Sequence, residues 1–256
     1  MRRIAIFMYG TVSYLLFLVS FLYAIGFLGN FMVPKSMDSP AEGPWQTALA
    51  IDLGLLSLFA VQHSVMARPA FKRMITRFIP VSAERSTYVM ASSLALLLLF
   101  WKWAPLGGVV WDIAPAAGRM AMYAGYGFGL GLVLVATLAI NHFDLFGMRQ
   151  VWLELRGQPQ SKLRFVTPVL YRIVRHPLYV GWLFTFWCTP TMTVTHLLFA
   201  SVTTAYILVA IRLEEADLMR EHPEYRVYRE KVPMLVPGGR IAIGPALPEP
   251  NRPAAL

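Results

Sequence analysis

At 256 residues the chain is long enough for one or two soluble domains, but 57% of it is hydrophobic, only 14% is charged and its mean hydropathy is +0.53. A domain that must wet its surface carries roughly 25% charged residues, so a soluble globule, a disordered chain, a coiled coil, a collagen and a secreted disulfide scaffold are all excluded. The net charge of +9 has to be explained by where the 23 Lys and Arg sit, and the single cysteine, Cys188, forbids an internal disulfide and a cysteine-based zinc site.

Six apolar stretches follow one another along the chain. They run from about Ile4 to Leu28, Thr47 to Met66, Thr87 to Trp103, Gly118 to Ile140, Pro177 to Thr189 and Val194 to Ile211. A bilayer core of about 30 Å needs around 20 helical residues per crossing, and the first four stretches meet or approach that. The first follows Met-Arg-Arg and is longer than the apolar core of a signal peptide, so it reads as a retained span. The last two occupy 35 residues with Pro190 between them. As one straight helix they would measure about 52 Å, too long for one crossing and short for two. They read as a helical hairpin that stops short of the far face. The predicted fold is an all-α polytopic membrane bundle of five to six spans, in a single domain over 1–236. The Pro- and Ala-rich tail, 237–256, is expected to be loose.

The basic residues sort by side. Arg2 and Arg3, the loop 68–85, the loop 149–175 and the segment after Ile211 together hold 20 of the 23 Lys and Arg; Lys35, Lys102 and Arg119 fall on the other side. The positive-inside rule puts both termini and the two long loops in the cytoplasm. The charge is thereby read as topology and attraction to lipid headgroups, not nucleic-acid binding.

Ionisable residues near membrane depth are the informative ones here, and they form four clusters at the cytoplasmic ends of spans. Tyr171-Arg172-Ile-Val-Arg175-His176-Pro177-Leu-Tyr179 places Pro177 at a first helical position. Its helix N-terminus and basic donors suit a carboxylate or phosphate, or form a plain basic flank to a span. Arg212-Leu-Glu214-Glu215-Ala-Asp217 sets two carboxylates against the C-terminal end of the last helix, where the macrodipole opposes them. That favours a cationic or hydroxyl-rich partner, or a solvated helix end with Arg212 and Glu215 paired at i, i+3. Asn141-His142-Phe143-Asp144-Leu-Phe-Gly147-Met-Arg149-Gln150 lies where the fourth span ends. Gln62-His63-Ser64 lies inside the second and must face protein. Spacing alone leaves each cluster open between a site and a structural feature.

The ordered set Arg175-His176-Pro177-Leu178-Tyr179-Val180-Gly181, an apolar hairpin, Arg212-Leu213-Glu214-Glu215, then Tyr225-Arg-Val-Tyr228 resembles the C-terminal signature of the isoprenylcysteine carboxyl methyltransferase superfamily. Glu221-His222-Pro223-Glu224 stands where that pattern usually has Phe-Gly. The Gln62-His63-Ser64 and Asn141-to-Gln150 segments extend the resemblance over nearly the whole chain. They are similar to the NnrU-type branch, and within it to bacterial enzymes that S-methylate methanethiol to dimethyl sulfide. The resemblance implies an integral-membrane, S-adenosylmethionine-dependent methyltransferase of the bacterial inner membrane. Its cofactor-binding half would span about 141–236 and its substrate would be a small thiol. It implies cofactor contacts from Arg172, Arg175, His176, Tyr179, Glu214 and Glu215, with the basic residues toward the carboxylate and the glutamates toward the ribose or ammonium. Gln62, Asn141, Arg149 and Gln150 fall to the substrate side. No metal is implied. A thiol that is mostly protonated at neutral pH needs a base, and His142 oriented by Asp144 is the first choice, with His63 second. Methylation of a prenylcysteine or lipid, and a non-enzymatic membrane accessory or transport role, are the competing readings.

Overall fold

The computed structural model describes residues 1–160 and 167–238, so most of the expected loose tail lies outside the described residues. Helices α1 (Arg2–Gly29), α2 (Trp45–Ala67), α3 (Pro69–Ile75), α4 (Val81–Lys102), α5 (Ala116–Ile140), α6 (His142–Leu145), α7 (Met148–Arg156), α8 (Val169–Ile173), α9 (Pro177–Trp187), α10 (Val194–Glu221) and α11 (Glu224–Lys231) hold most of the described residues. Four of them, α1, α2, α5 and α10, are long and apolar enough to cross a membrane. The protein is an all-α membrane bundle.

Helix α1 shows how lipid inverts the usual amphipathic pattern. Ile4, Met8, Val12, Leu15, Val19 and Leu22 are exposed at three- and four-residue spacing and form an outer apolar stripe. The buried stripe holds Gly10, Ser13, Ser20 and Ala24. Small residues face neighbouring helices, where backbones must approach closely. Helix α4 follows the same rule. It has 22 residues but buries Ser82, Ser86, Ser92 and Ser93, so its hydropathy is low although its length suits a crossing.

The hairpin has unequal arms. Helix α9 has 11 residues, about 16 Å, or half a bilayer core. Helix α10 has 28 and continues ten residues beyond the expected end of its apolar stretch. The reversal between them contains a short strand, β2 (Thr191–Thr193), paired antiparallel with β1 (Val109–Asp112) from the α4–α5 connection. Near this end lies the core of the molecule, where Phe27, Leu99, Phe100, Trp103, Phe186 and Phe199 pack together.

Side-chain contacts fix the directions of the helices. Tyr9 of α1 donates to Thr87 of α4 near both helix starts. Arg68 just past α2 pairs with Asp217 near the end of α10, and Tyr126 in the first half of α5 donates to the Ile25 carbonyl late in α1. The starts of α1, α4 and α9 and the ends of α2, α5 and α10 therefore share one end of the bundle, and all four polar clusters lie there.

Candidate functional site

The arginine–histidine segment and the glutamate pair meet. Helix α9 begins at Pro177, whose fixed φ suits a first helical position. The strand-like backbone before it is held by the chain that follows α11: Arg175 N–H donates to the Pro233 carbonyl and His176 N–H to that of Met234. This turns both side chains toward α10. Arg175 Nε donates to Glu215 Oε1 at 2.7 Å, and His176 Nε2 is 3.0 Å from the same oxygen. Arg229 of α11 reaches Glu215 Oε2 at 3.0 Å. Arg175 Nη1 also donates to the carbonyls of Arg229 and Val232. Tyr228, two turns along the same assembly, donates to the Tyr171 carbonyl at 2.5 Å. Burial holds the phenols of Tyr171, Tyr225 and Tyr228 above the usual tyrosine range, so they stay neutral.

Arg175 and His176 bond Glu215 and backbone carbonyls in this structure. Two expectations drawn from spacing are corrected. Glu215 is bonded by Arg175, His176 and Arg229 in place of Arg212, which is exposed. Because α10 runs on to Glu221, neither glutamate sits in its last turn, and the macrodipole penalty argued from sequence is relieved. Arg172 also stands apart from the cluster: it is exposed and donates to the Thr167 carbonyl.

Glu214 has a different environment. Tyr179 OH donates to its Oε2 at 3.1 Å, and its other oxygen has no hydrogen-bond partner among the described residues. Tyr88 of α4 is within electrostatic range of Glu214. A carboxylate bonded by Tyr179 thus lies where α9 meets α10.

Tyr88 links this group to the α2 cluster. Its hydroxyl is 2.7 Å from His63 Nε2 and 3.1 Å from Nδ1. Ser92 Oγ lies 3.2 Å from His63 Nδ1 and accepts from Gln62 Nε2 at 3.3 Å. Gln62 Oε1 is buried without a partner. Ser64 meets Tyr206 at 3.1 Å, and Arg68 pairs with Asp217 at 2.8 Å, which pins α2 to α10. Tyr88, Ser92 and Tyr206 were not singled out in the sequence. Their signal is a hydroxyl inside an apolar stretch, which carries the same cost in lipid as the Gln-His-Ser run.

The segment after α5 folds into a compact turn, and its histidine and aspartate diverge. Asn141, at φ 156°, caps α6 by accepting from the Asp144 N–H. His142 Nδ1 lies 3.2 Å from Thr137 Oγ1 and Nε2 lies 2.9 Å from Tyr14 OH. Thr137 already donates its hydroxyl proton to the Leu134 carbonyl, so Nδ1–H is the donor and Tyr14 donates to Nε2. Asp144 Oδ1 instead accepts from Arg149 at 2.9 Å and from Gln150 at 3.2 Å. Asp144 therefore does not orient His142, because its carboxylate is held by the first turn of α7. Burial lowers His142 below the ordinary histidine range. Phe17, Phe143 and Phe146 surround its ring. Phe7, Asn141, Phe143, Met148, Arg149 and Trp152 line a groove of about 380 Å³ on its outer side. Arg85 ties the two histidine regions together, donating to the Leu145 carbonyl at 2.8 Å with its guanidinium 5.4 Å from the Tyr88 ring centre.

A family of unknown function, DUF1295, matches residues 109–232. The methanethiol S-methyltransferase of Crocosphaera subtropica is 53% identical over 93% of both chains. That of Mycobacterium tuberculosis is 51% identical over 93% of this chain and 98% of its own. Nurim of Mus musculus is 32% identical over 73% of this chain and 77% of its own. No solved structure matches. With about half of its residues shared over nearly its whole length, the chain belongs to the methanethiol S-methyltransferase family.

Proposed function

We propose that the protein is an integral-membrane, S-adenosylmethionine-dependent methyltransferase that converts methanethiol to dimethyl sulfide. The names of its relatives support the substrate. The observation that carries the chemistry is the Glu214–Tyr179 pair, with Tyr88 within electrostatic range of it. Carboxylate and aromatic faces attract a sulfonium or ammonium, so the donor set fits a cationic methyl donor. The unmatched buried oxygen of Gln62 adds an acceptor that a ligand donor would satisfy.

S-adenosylmethionine, when bound, supplies an electrophilic methyl group on its sulfonium. The residues here do the rest. Glu214 and Tyr179 hold the cationic or hydroxyl side of the donor. Arg175, His176, Arg229 and Glu215 lock α9, α10 and α11 into the shape that presents Glu214. Positioning donor and thiol in line is the main source of acceleration. The thiol proton goes to a histidine. His63 is favoured over His142 because its partner Tyr88 is within electrostatic range of Glu214.

The polar end of the bundle is assigned to the cytoplasm, together with both termini, and the membrane to the bacterial inner membrane. The clustering of basic residues at that end supports this orientation. The test is purified protein in detergent. Calorimetry should show S-adenosylmethionine binding, and gas analysis should show dimethyl sulfide formed from methanethiol. Absence of binding overturns the reading. Turnover of a prenylcysteine but not of methanethiol reassigns the substrate.

A further inference from the structure

The imidazole of His63 is occupied on every approach that matters for proton transfer. Tyr88 OH lies 2.7 Å from Nε2 and 3.1 Å from Nδ1, Ser92 Oγ lies 3.2 Å from Nδ1, and Phe59 stacks on the ring at 5.1 Å between centres and 26° between planes. A thiol has no vacant nitrogen to meet. The Tyr88 oxygen is different. It can donate to Nε2 and still accept through its lone pairs, and the same side chain is within electrostatic range of the Glu214–Tyr179 pair. Arg85, fixed by the Leu145 carbonyl, lies 5.4 Å from the Tyr88 ring centre and holds that side chain against His63.

We propose that Tyr88 is a catalytic residue that relays the thiol proton to His63. This rests on the methyltransferase reading and specifies which atom meets the thiol. The S–H bond breaks and its proton moves to Tyr88 Oη, while the Tyr88 proton moves to His63 Nε2. The freed electron pair on sulfur forms the new S–CH₃ bond. The bond from that methyl to the donor sulfonium breaks with its pair staying on the donor sulfur, which becomes neutral. His63 leaves the step as imidazolium and returns the proton to solvent through the same phenol after product departs. The tautomer required is Nδ1–H, with Ser92 Oγ as its acceptor, and Gln62 holds that serine oxygen in place.

The experiment compares Tyr88→Phe and His63→Gln with the unaltered protein. It measures S-adenosylmethionine binding by calorimetry and methanethiol turnover from about pH 7 to about pH 10, across the range where solvent begins to supply thiolate. Binding should stay within about twofold. Turnover at neutral pH should fall by about 10²- to 10⁴-fold in each variant, the range for loss of proton transfer. The deficit should shrink as pH rises, and the double variant should be no worse than either single one, because one relay is broken only once. A deficit that is constant with pH, multiplicative losses in the double variant, or full activity in either single variant overturns the relay. If one variant does not fold, the other alone decides through its pH profile. Failure of the underlying reading is separable, since then the unaltered protein itself would neither bind the donor nor turn over.

Discussion

Glu215 accepts from Arg175, His176 and Arg229, whereas among the described residues its neighbour Glu214 accepts from Tyr179 alone. Adjacent on one helix, the two carboxylates are about 100° apart around the axis. One faces the α9–α11 assembly and the other faces Tyr179. Removing one partner of a buried pair costs about 3–5 kcal/mol, because the remaining charges are stranded. Glu215→Ala should therefore lower the unfolding temperature in detergent clearly, and donor binding with it. Glu214→Gln should leave thermal stability close to that of the unaltered protein yet weaken S-adenosylmethionine binding by tenfold or more, about 1.4 kcal/mol. Equal stability of the two variants would show that Glu215 is not the structural member. At this scale the sequence exposes which residues are exceptional, since Arg175, His176, Glu214 and Glu215 are ionisable groups beside apolar runs. It does not expose their pairing. Arg229 lies 14 residues beyond Glu215 on a separate helix, and His142 and Asp144 are close in sequence but bond elsewhere, because the turn at Asn141 sends their side chains apart.

Helices α5 and α9 meet backbone to backbone. A Cβ on Gly129 would sit 2.6 Å from the Gly181 carbonyl oxygen, and one on Gly181 would sit 2.7 Å from that of Gly129. The run Gly125-Tyr-Gly127-Phe-Gly129-Leu-Gly131 offers two small-residue faces, and one of them is used: Gly125 packs on Cys188 and Gly129 on α9, whereas Gly127 and Gly131 have open space beside them. Such contacts replace the hydrophobic drive that lipid removes. Gly129→Ala should cost about 1–3 kcal/mol, since the obstacle is backbone and cannot rotate away. It should also lower activity, because α9 carries His176 and Tyr179. Gly127→Ala should change neither; thermal unfolding and turnover of the two variants measure the contrast. The long spans were legible because length and hydropathy suffice to mark them. The β1–β2 ribbon was not, because a strand of three or four residues has no periodicity to read and its partner lies about 80 residues away.

The whole molecule gathers its polar chemistry at one end and its aromatic core near the other. That asymmetry follows from the alternating directions of the helices, so orientation in the membrane decides which solution the site meets. The proposed donor, S-adenosylmethionine, is charged and polar, and crossing a hydrocarbon core would cost it several kcal/mol per unpaired polar group; under that proposal the site opens toward the side where the donor is made. Methanethiol is small and apolar and can arrive through the bilayer from either side. The Lys and Arg distribution independently supports the same proposed orientation, because Arg2, Arg3, Arg68, Arg85, Arg149 and Arg175 all belong to the end that carries Glu214. Reporter fusions after Ile75, after Leu155 and at the C-terminus should accordingly read cytoplasmic, and a fusion near Pro40 should read external. An external signal from the 141–176 segment would place Glu214 and Tyr179 away from the cytoplasmic donor, and the methyltransferase assignment could not survive it even if every helix were correctly traced.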